Sequence, residues 1–256
     1  MISHDMIERN QALLIVLVIL VVAVGGLVEI VPLYFQKTNT EPVAGLKPYS
    51  ALQLTGRDVY VREGCYNCHS QMIRPILAET KRYGDYSKPD ESMYDHPFQW
   101  GSRRIGPDLA RVGPKLDPHW HLLHFRNPRD IFAESIMPEY SWLEKKKLDF
   151  DSIPLRVKAM RILGVPYTVE EEQRSAEHAT EQAKAITREI MKSAPDDASI
   201  TEDLYDKEVI ALIAYLERLG ADLEKAKLGP APEPAADTAG QALPKPVGEP
   251  TARSDR

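Results

Sequence analysis

The sequence predicts a mainly α-helical protein, with one N-terminal transmembrane helix followed by one helical domain that carries long loop insertions. Three observations predict this fold class: an apolar run near the N-terminus, helical spacing of apolar residues on either side of a proline-rich middle, and no strand-like alternation. The chain has 256 residues, of which 43% are hydrophobic and 27% charged, with a net charge of -6. These values fit a folded protein and give no basic face for nucleic acid.

The N-terminal run predicts a membrane anchor. Residues 12–35 read ALLIVLVILVVAVGGLVEIVPLYF, in which Glu29 is the only charged residue. As a helix this run measures about 36 Å, more than the roughly 30 Å of a bilayer's hydrocarbon core. A cleaved signal peptide needs a positive start, a shorter run and a small-residue cleavage site. The mixed start and the long run favour an uncleaved anchor, but Arg9 and Lys37 flank it almost symmetrically and do not orient it.

Composition divides the rest of the chain. The predicted regions are a short N-terminus at residues 1–11, the anchor at 12–35, a linker at 36–48, the domain at 49–223 with insertions at 70–105 and 144–200, and a Pro/Ala-rich disordered tail at 224–256.

Two helices bound the predicted domain. We expect the first at Tyr49–Gly64 and the last, which is clearly amphipathic, at Asp203–Leu219. Between them, residues 168–194 hold many charges and few large apolar side chains. This composition predicts a solvated surface helix.

The only two cysteines lie in EGCYNCHSQ, residues 63–71. Cys65 and Cys68 are followed directly by His69, which gives the C-x-x-C-H motif of covalent c-type haem attachment. In that chemistry both thiols add to the haem vinyl groups and the histidine ligates the iron. The context, a helix before the motif and an anchor that places the domain outside the membrane, favours this interpretation.

Two other readings of the motif stay open. A redox dithiol normally follows a strand in an α/β fold, whereas a helix precedes this motif. A structural zinc site needs four ligands. Histidines that could complete such a set are His119, His121 and His124.

A haem used for electron transfer needs a second axial ligand. Met137 lies in SIMPEY, where Pro138 would hold it in an extended loop. We therefore expect Met137 to be the sixth ligand and the other methionines to pack in the core. An axial histidine usually donates its second ring N–H to a carbonyl, which the Gly106-Pro107 turn could offer to His69.

The stretch HWHLLHFRNPR is the second candidate part of a haem pocket. Trp120, Arg126 and Arg129 could approach haem propionates through charge-assisted or polar contacts, with packing and helix capping, or a metal site, as the alternatives. Phe98 and Trp100 stand out in the polar insertion HPFQWGSRRIG. They suit either a partner-covered loop or a core anchor of the insertion.

Together these motifs resemble a known family. The helix, CYNCH, IGPDL, the MP loop and the final EVIALIAYLERLG helix look like a class I cytochrome c, in which the first and last helices pack together. Over about residues 8–220 the chain more specifically resembles the mono-haem subunit of the cbb3-type cytochrome c oxidases. The motifs that carry this are GGLVEIVPLYF, GCYNCHSQMIRP, HPFQWGSRRIGPDLARVG, WHLLHFRNPR, SIMPEYSWL and LGVPYT.

The resemblance implies a non-catalytic electron-transfer subunit of an O₂-reducing complex. It would carry one covalently bound haem c, attached to Cys65 and Cys68 and ligated by His69 and Met137. Electrons would come from a di-haem cytochrome c subunit and pass to a catalytic subunit with b-type haems and copper. A free-standing membrane-anchored cytochrome c is the alternative.

The same resemblance sets the expected location. Bacteria attach c-type haem on the periplasmic side, so the anchor would cross the lipid of the bacterial cytoplasmic (inner) membrane once. The N-terminus would be cytoplasmic and the haem domain periplasmic.

Overall fold

The computed structural model describes residues 4–223, so the predicted tail at 224–256 lies outside the described residues. Within this part the protein is helical, and its only β-pairing is an isolated bridge between Lys147 and Lys207. The helices are α1 (His4–Arg9), α2 (Gln11–Leu33), α3 (Lys37–Thr40), α4 (Ala51–Arg62), α5 (Leu77–Tyr83), α6 (Pro118–Arg126), α7 (Pro128–Ile131), α8 (Ile153–Ile162), α9 (Val169–Gln173), α10 (Ser175–Ser193) and α11 (Glu208–Arg218). Short 3₁₀ turns are formed by Cys65–Asn67, Pro89–Ser92, Ser141–Glu144 and Glu202–Asp206.

The anchor-type helix α2 begins and ends close to the predicted span. The Asn10 side chain caps it by accepting from the backbone N–H of Leu13 at 3.1 Å, and Pro32 lies in its last turn. None of its residues is buried by the rest of the described chain. Among residues 4–223 it is the one helix long and apolar enough to cross a membrane.

The core of the domain forms where α4 packs against α11. Ser50 and Gln53 make a capping box that starts α4. The helices approach so closely at Gly56 that a Cβ there would lie 1.8 Å from the carbonyl oxygen of Ala211. Only glycine permits this crossing. The contact brings the first and last helices of the domain together, as the class I cytochrome c resemblance implied.

The insertion before α11 is more buried than the sequence predicted. One face of α10 packs on the core through Ala179, Ala183, Ile186 and Ile190. The expectation of a solvated surface helix over 168–194 is therefore wrong for this face. Alanines at helical spacing carry little hydrophobic signal, yet they allow α10 to lie close to α4.

Ion pairs of low exposure hold the loop-rich segment that follows the cysteine motif. Arg57 of α4 pairs with Asp95 and also donates to the carbonyl of Pro97 at 2.6 Å. The Trp100 indole donates to the Ser92 hydroxyl at 3.1 Å, while Phe98 beside it remains 41% exposed. Polar interactions therefore order much of a segment in which no long helix forms.

Candidate functional site

The cysteine motif forms a tight turn directly after α4. Cys65 and Cys68 are both free and half-buried, and the backbone N–H groups of Cys68 and His69 donate to the carbonyl of Cys65 at 3.1 and 2.9 Å. Burial, reinforced by the nearby carboxylate of Glu63, raises the pKa of Cys65 to about 12. A redox dithiol requires a depressed thiol pKa, so this environment speaks against that alternative.

His69 is held by the loop that contains Pro107. Its Nδ1–H donates to the Pro107 carbonyl oxygen at 2.8 Å, which leaves Nε2 as the ring nitrogen able to coordinate a metal. Burial lowers the pKa of His69, which favours the neutral imidazole needed for ligation. Gly106 lies flat against the ring, since a Cβ there would be 2.3 Å from Cε1. The structure thus brings together the histidine and the carbonyl that the sequence paired.

The predicted methionine ligand lies in a loop that returns towards the cysteines. Met137 is half-buried against the core, and its backbone N–H donates to the Ser135 hydroxyl at 3.3 Å. Three residues later, the backbone N–H of Tyr140 donates to the carbonyl of Phe125 at 2.8 Å. Burial and then repulsion from the two cysteine sulfurs raise the pKa of Tyr140, so the end of this loop approaches the motif.

Tyr140 is a candidate pocket residue to which the sequence interpretation gave no role. Its ring lies 5.1 Å from that of Trp142, whose indole N–H donates to Glu63 at 3.3 Å. The only sequence signal was its position just after the MP dipeptide.

Helix α6 presents Trp120 and two histidines beside this site. The Trp120 ring stacks on His124 with centroids 4.6 Å apart and meets the edge of His121 at 5.4 Å. Burial lowers the pKa of His121 to about 4, and burial followed by the proximity of His69 lowers that of His124. Trp120 therefore belongs to an aromatic cluster next to His69, and its role as a haem-pocket residue stays a prediction.

Arg126 is already paired with protein carboxylates. Its guanidinium donates to Glu144 at 2.8 and 3.0 Å and to Asp197 at 3.3 Å, which ties the end of α6 to two later segments. A propionate would have to compete with both carboxylates for this guanidinium. The suggested pocket role of Arg126 stays a prediction that this pairing does not support.

The zinc alternative finds no ligand set in the part of the chain that is described. Among residues 4–223, no group of three or more His, Cys, Asp or Glu side chains could hold a metal ion. His121 is 2% exposed, and its Nε2 has no hydrogen-bond partner among the described residues.

The site fits a flat, apolar cofactor. At the motif, the large apolar side chains of Tyr66 and Ile105 are 41% and 53% exposed, and Ile136, next to Met137 in the chain, is 78% exposed. A porphyrin-sized ring would cover surface of this kind. Two thiols in one turn and a neutral imidazole fixed by a carbonyl supply the groups that covalent haem attachment and one iron ligand require, while Met137 as the second ligand stays a prediction.

Fold and motif together define the class of protein: a membrane-anchor-type helix joined to a helical domain of the c-type cytochrome kind. Over residues 4–223 the chain matches the family described as cytochrome c oxidase, mono-heme subunit/FixO. The chain belongs to this family, which confirms the resemblance to the mono-haem oxidase subunit. A search of curated proteins found no match. The family assignment makes the protein a subunit of a cytochrome c oxidase, and the family's description implies one haem.

Proposed function

We propose that this subunit relays electrons through a single haem c bound covalently to Cys65 and Cys68. The observation that carries the proposal is the hydrogen bond from His69 to Pro107, which fixes the histidine of the C-x-x-C-H motif for iron ligation. When bound, haem c supplies a one-electron iron couple. The side chains of this chain would bind and orient the haem.

Each side chain has a distinct task in this proposal. Cys65 and Cys68 would hold the haem through thioether bonds to its two vinyl groups. Nε2 of His69 and the thioether sulfur of Met137 would ligate its iron. With both ligands supplied by the protein, the subunit would not bind O₂ and would be non-catalytic by itself.

The partners follow from membership of an oxidase complex. We infer that electrons arrive from a di-haem cytochrome c subunit and leave for a catalytic subunit that holds b-type haems and copper. The family supports this inference, because its description is that of the mono-haem subunit of a cytochrome c oxidase. The exposed apolar side chains of Tyr66 and Ile105 at the motif would let a partner subunit approach the haem closely, as electron transfer between subunits needs.

The membrane arrangement is part of the same proposal. Helix α2 would cross the bacterial inner membrane once, with the N-terminus cytoplasmic and the domain periplasmic, because c-type haem is attached on that side. The apolar surface of α2, no residue of which is buried by the rest of the described chain, suits contact with lipid or with other membrane helices.

The test is purification of the full chain from its membrane in mild detergent. We expect a pyridine haemochrome spectrum with one c-type haem per chain, haem that stays with the chain on a denaturing gel, and co-purification of b-type haem and copper. Cys65→Ala and Cys68→Ala should each weaken haem staining on that gel. A lone haem protein would favour the free-standing carrier, and the absence of a c-type haemochrome would refute the proposal.

A further inference from the structure

Two chain segments are joined directly beside His69. The backbone N–H groups of Ile105 and Gly106 both donate to the Cys68 carbonyl, at 2.8 and 2.9 Å, and Leu109 N–H donates to the Ser70 carbonyl at 2.8 Å. These bonds place the Pro107 carbonyl opposite the His69 ring. Anything that holds residues 104–109 against residues 68–72 therefore also holds the hydrogen bond of the axial histidine.

The Arg104 side chain connects the same two segments and is only 15% exposed. Its Nε donates to the Ser70 hydroxyl at 2.6 Å, and one terminal nitrogen donates to the Met72 carbonyl at 2.8 Å. That nitrogen also contacts Glu79 at 2.7 Å and Asp108 at 3.3 Å. One guanidinium therefore links the chain before Pro107 to the chain after His69.

Asp108 completes the connection from the other side of Pro107. Its buried carboxylate accepts from the Ser70 hydroxyl at 2.6 Å and from the Met72 backbone N–H at 2.9 Å. Arg104 and Asp108 thus bind the same two residues, and Pro107 lies between them in sequence. We name the set Arg104, Asp108 and Ser70 the histidine clamp.

We propose that Arg104 is a positioning residue that sets the strength of the His69–Pro107 hydrogen bond, and through it the reduction potential of the haem. This inference rests on the proposed ligation of iron by His69. A firm hydrogen bond from Nδ1–H of His69 raises the basicity of the ligating nitrogen Nε2. A more basic ligand favours the oxidised iron. A looser clamp should therefore raise the midpoint potential.

Charge must be separated from geometry in the test. Arg104 and Arg74 face Glu79 and Asp108, so the cluster carries no net charge, and removing Arg104 would leave it negative. Arg104→Lys keeps the charge but loses the planar fork that reaches several acceptors. Ser70→Ala also keeps every charge and removes the hydroxyl shared by Arg104 and Asp108.

The chain offers a matched control in Arg111. It pairs with Glu91 at 2.7 Å, and the two side chains are 14% and 12% exposed, close to the values for Arg104 and Glu79. The hydrogen bonds of the Arg111 side chain go to Ala110, Asp85 and Glu91, none of which belongs to the segment that directly follows His69. Arg111→Lys therefore disturbs a comparable ion pair without touching the clamp.

The experiment is a spectroelectrochemical titration of the haem c in the full, haem-loaded chain, with electron paramagnetic resonance of the oxidised form. We expect Arg104→Lys and Ser70→Ala to raise the midpoint potential, by up to a tenfold change in the oxidised-to-reduced ratio, or about 59 mV. The resonance g-values should change as well, while Arg111→Lys matches the wild type.

The outcomes separate this inference from the proposed function. If the wild-type chain shows no c-type haemochrome, both the proposed function and the positioning role of Arg104 are refuted. If the haemochrome is normal but the clamp variants have the same midpoint potentials and g-values as Arg111→Lys, the positioning role of Arg104 alone is overturned. If Arg104→Lys does not accumulate as a folded chain, the result for Ser70→Ala decides.

Discussion

The Nδ1 atom of His69 lies 2.8 Å from the carbonyl oxygen of Pro107, across a gap of 38 residues in the chain. This hydrogen bond fixes which ring nitrogen carries the proton and so which one is available to a metal. The backbone at Gly106 makes the bond possible because it has no side chain to occupy the space beside the ring. The site is therefore built as much by a glycine and a carbonyl as by the motif itself.

Replacing Gly106 tests this arrangement directly. In Gly106→Ala the new Cβ would lie 2.3 Å from Cε1 of His69, so the ring or the loop must move. We expect a several-fold lower yield of haem-loaded chain and altered g-values in the oxidised form, measured by haemochrome and electron paramagnetic resonance. Gly101→Ala is the control, since its nearest neighbour would be at an ordinary 3.5 Å. Equal haem content and spectra in both variants would contradict the close contact.

The sequence predicted the parts of this protein that depend on local pattern. Hydropathy and helical spacing predicted α2, α4 and α11 to within a few residues, apart from the first turns before α11, which are a 3₁₀ turn at Glu202–Asp206. The C-x-x-C-H motif and the Gly106-Pro107 turn predicted which groups would meet at His69. Each of these signals lies in a short stretch of chain.

What the sequence did not predict depends on contacts between distant residues. The buried face of α10 includes Ala179 and Ala183, whose burial depends on how closely a neighbouring helix approaches. The pairing of Arg126 with Glu144 and Asp197, and the clamp made by Arg104, join residues that no periodic pattern connects. Charged side chains of this kind can pair with many partners, so only the fold selects one.

Met137→Leu tests the proposed sixth ligand. Leucine keeps much of the volume but removes the sulfur, so the weak far-red sulfur-to-iron band of the oxidised haem should disappear. The midpoint potential should also fall, because a thioether ligand raises it. Met160→Leu is the matched control, since Met160 is 7% exposed in the core. Persistence of the band in Met137→Leu would show that another group is the ligand.

Gly56→Ala tests the contact between α4 and α11. A Cβ at this position would lie 1.8 Å from the Ala211 carbonyl oxygen, so the two helices must separate. Overpacking of this kind should destabilise the domain by about 1–3 kcal/mol or more, despite alanine's better helix propensity. Thermal unfolding followed by circular dichroism measures the effect, with Gly101→Ala as the control. A Gly56→Ala chain as stable as that control would mean that the helices cross at a greater distance.

The raised pKa of Glu217 predicts that the stability of the domain depends on pH. It is half-buried on α11, and burial, then Glu189, then Asp117 raise its pKa from 4.5 to about 7. Between these values the folded state binds more protons than the unfolded state, so this group lowers stability as the pH rises. The loss is complete above the folded pKa and absent below the unfolded pKa.

Glu217→Gln should remove that dependence because glutamine stays neutral. We expect the variant to be more stable than the wild type at about pH 8, by on the order of 1 kcal/mol after allowance for partial exposure. The difference should shrink to nothing below the unfolded pKa of 4.5, where Glu217 is protonated in both the folded and the unfolded state. Unfolding of the detergent-solubilised chain across this range measures it, with exposed Glu181→Gln as the control. A stability difference that does not vary with pH would show that Glu217 does not titrate between these limits.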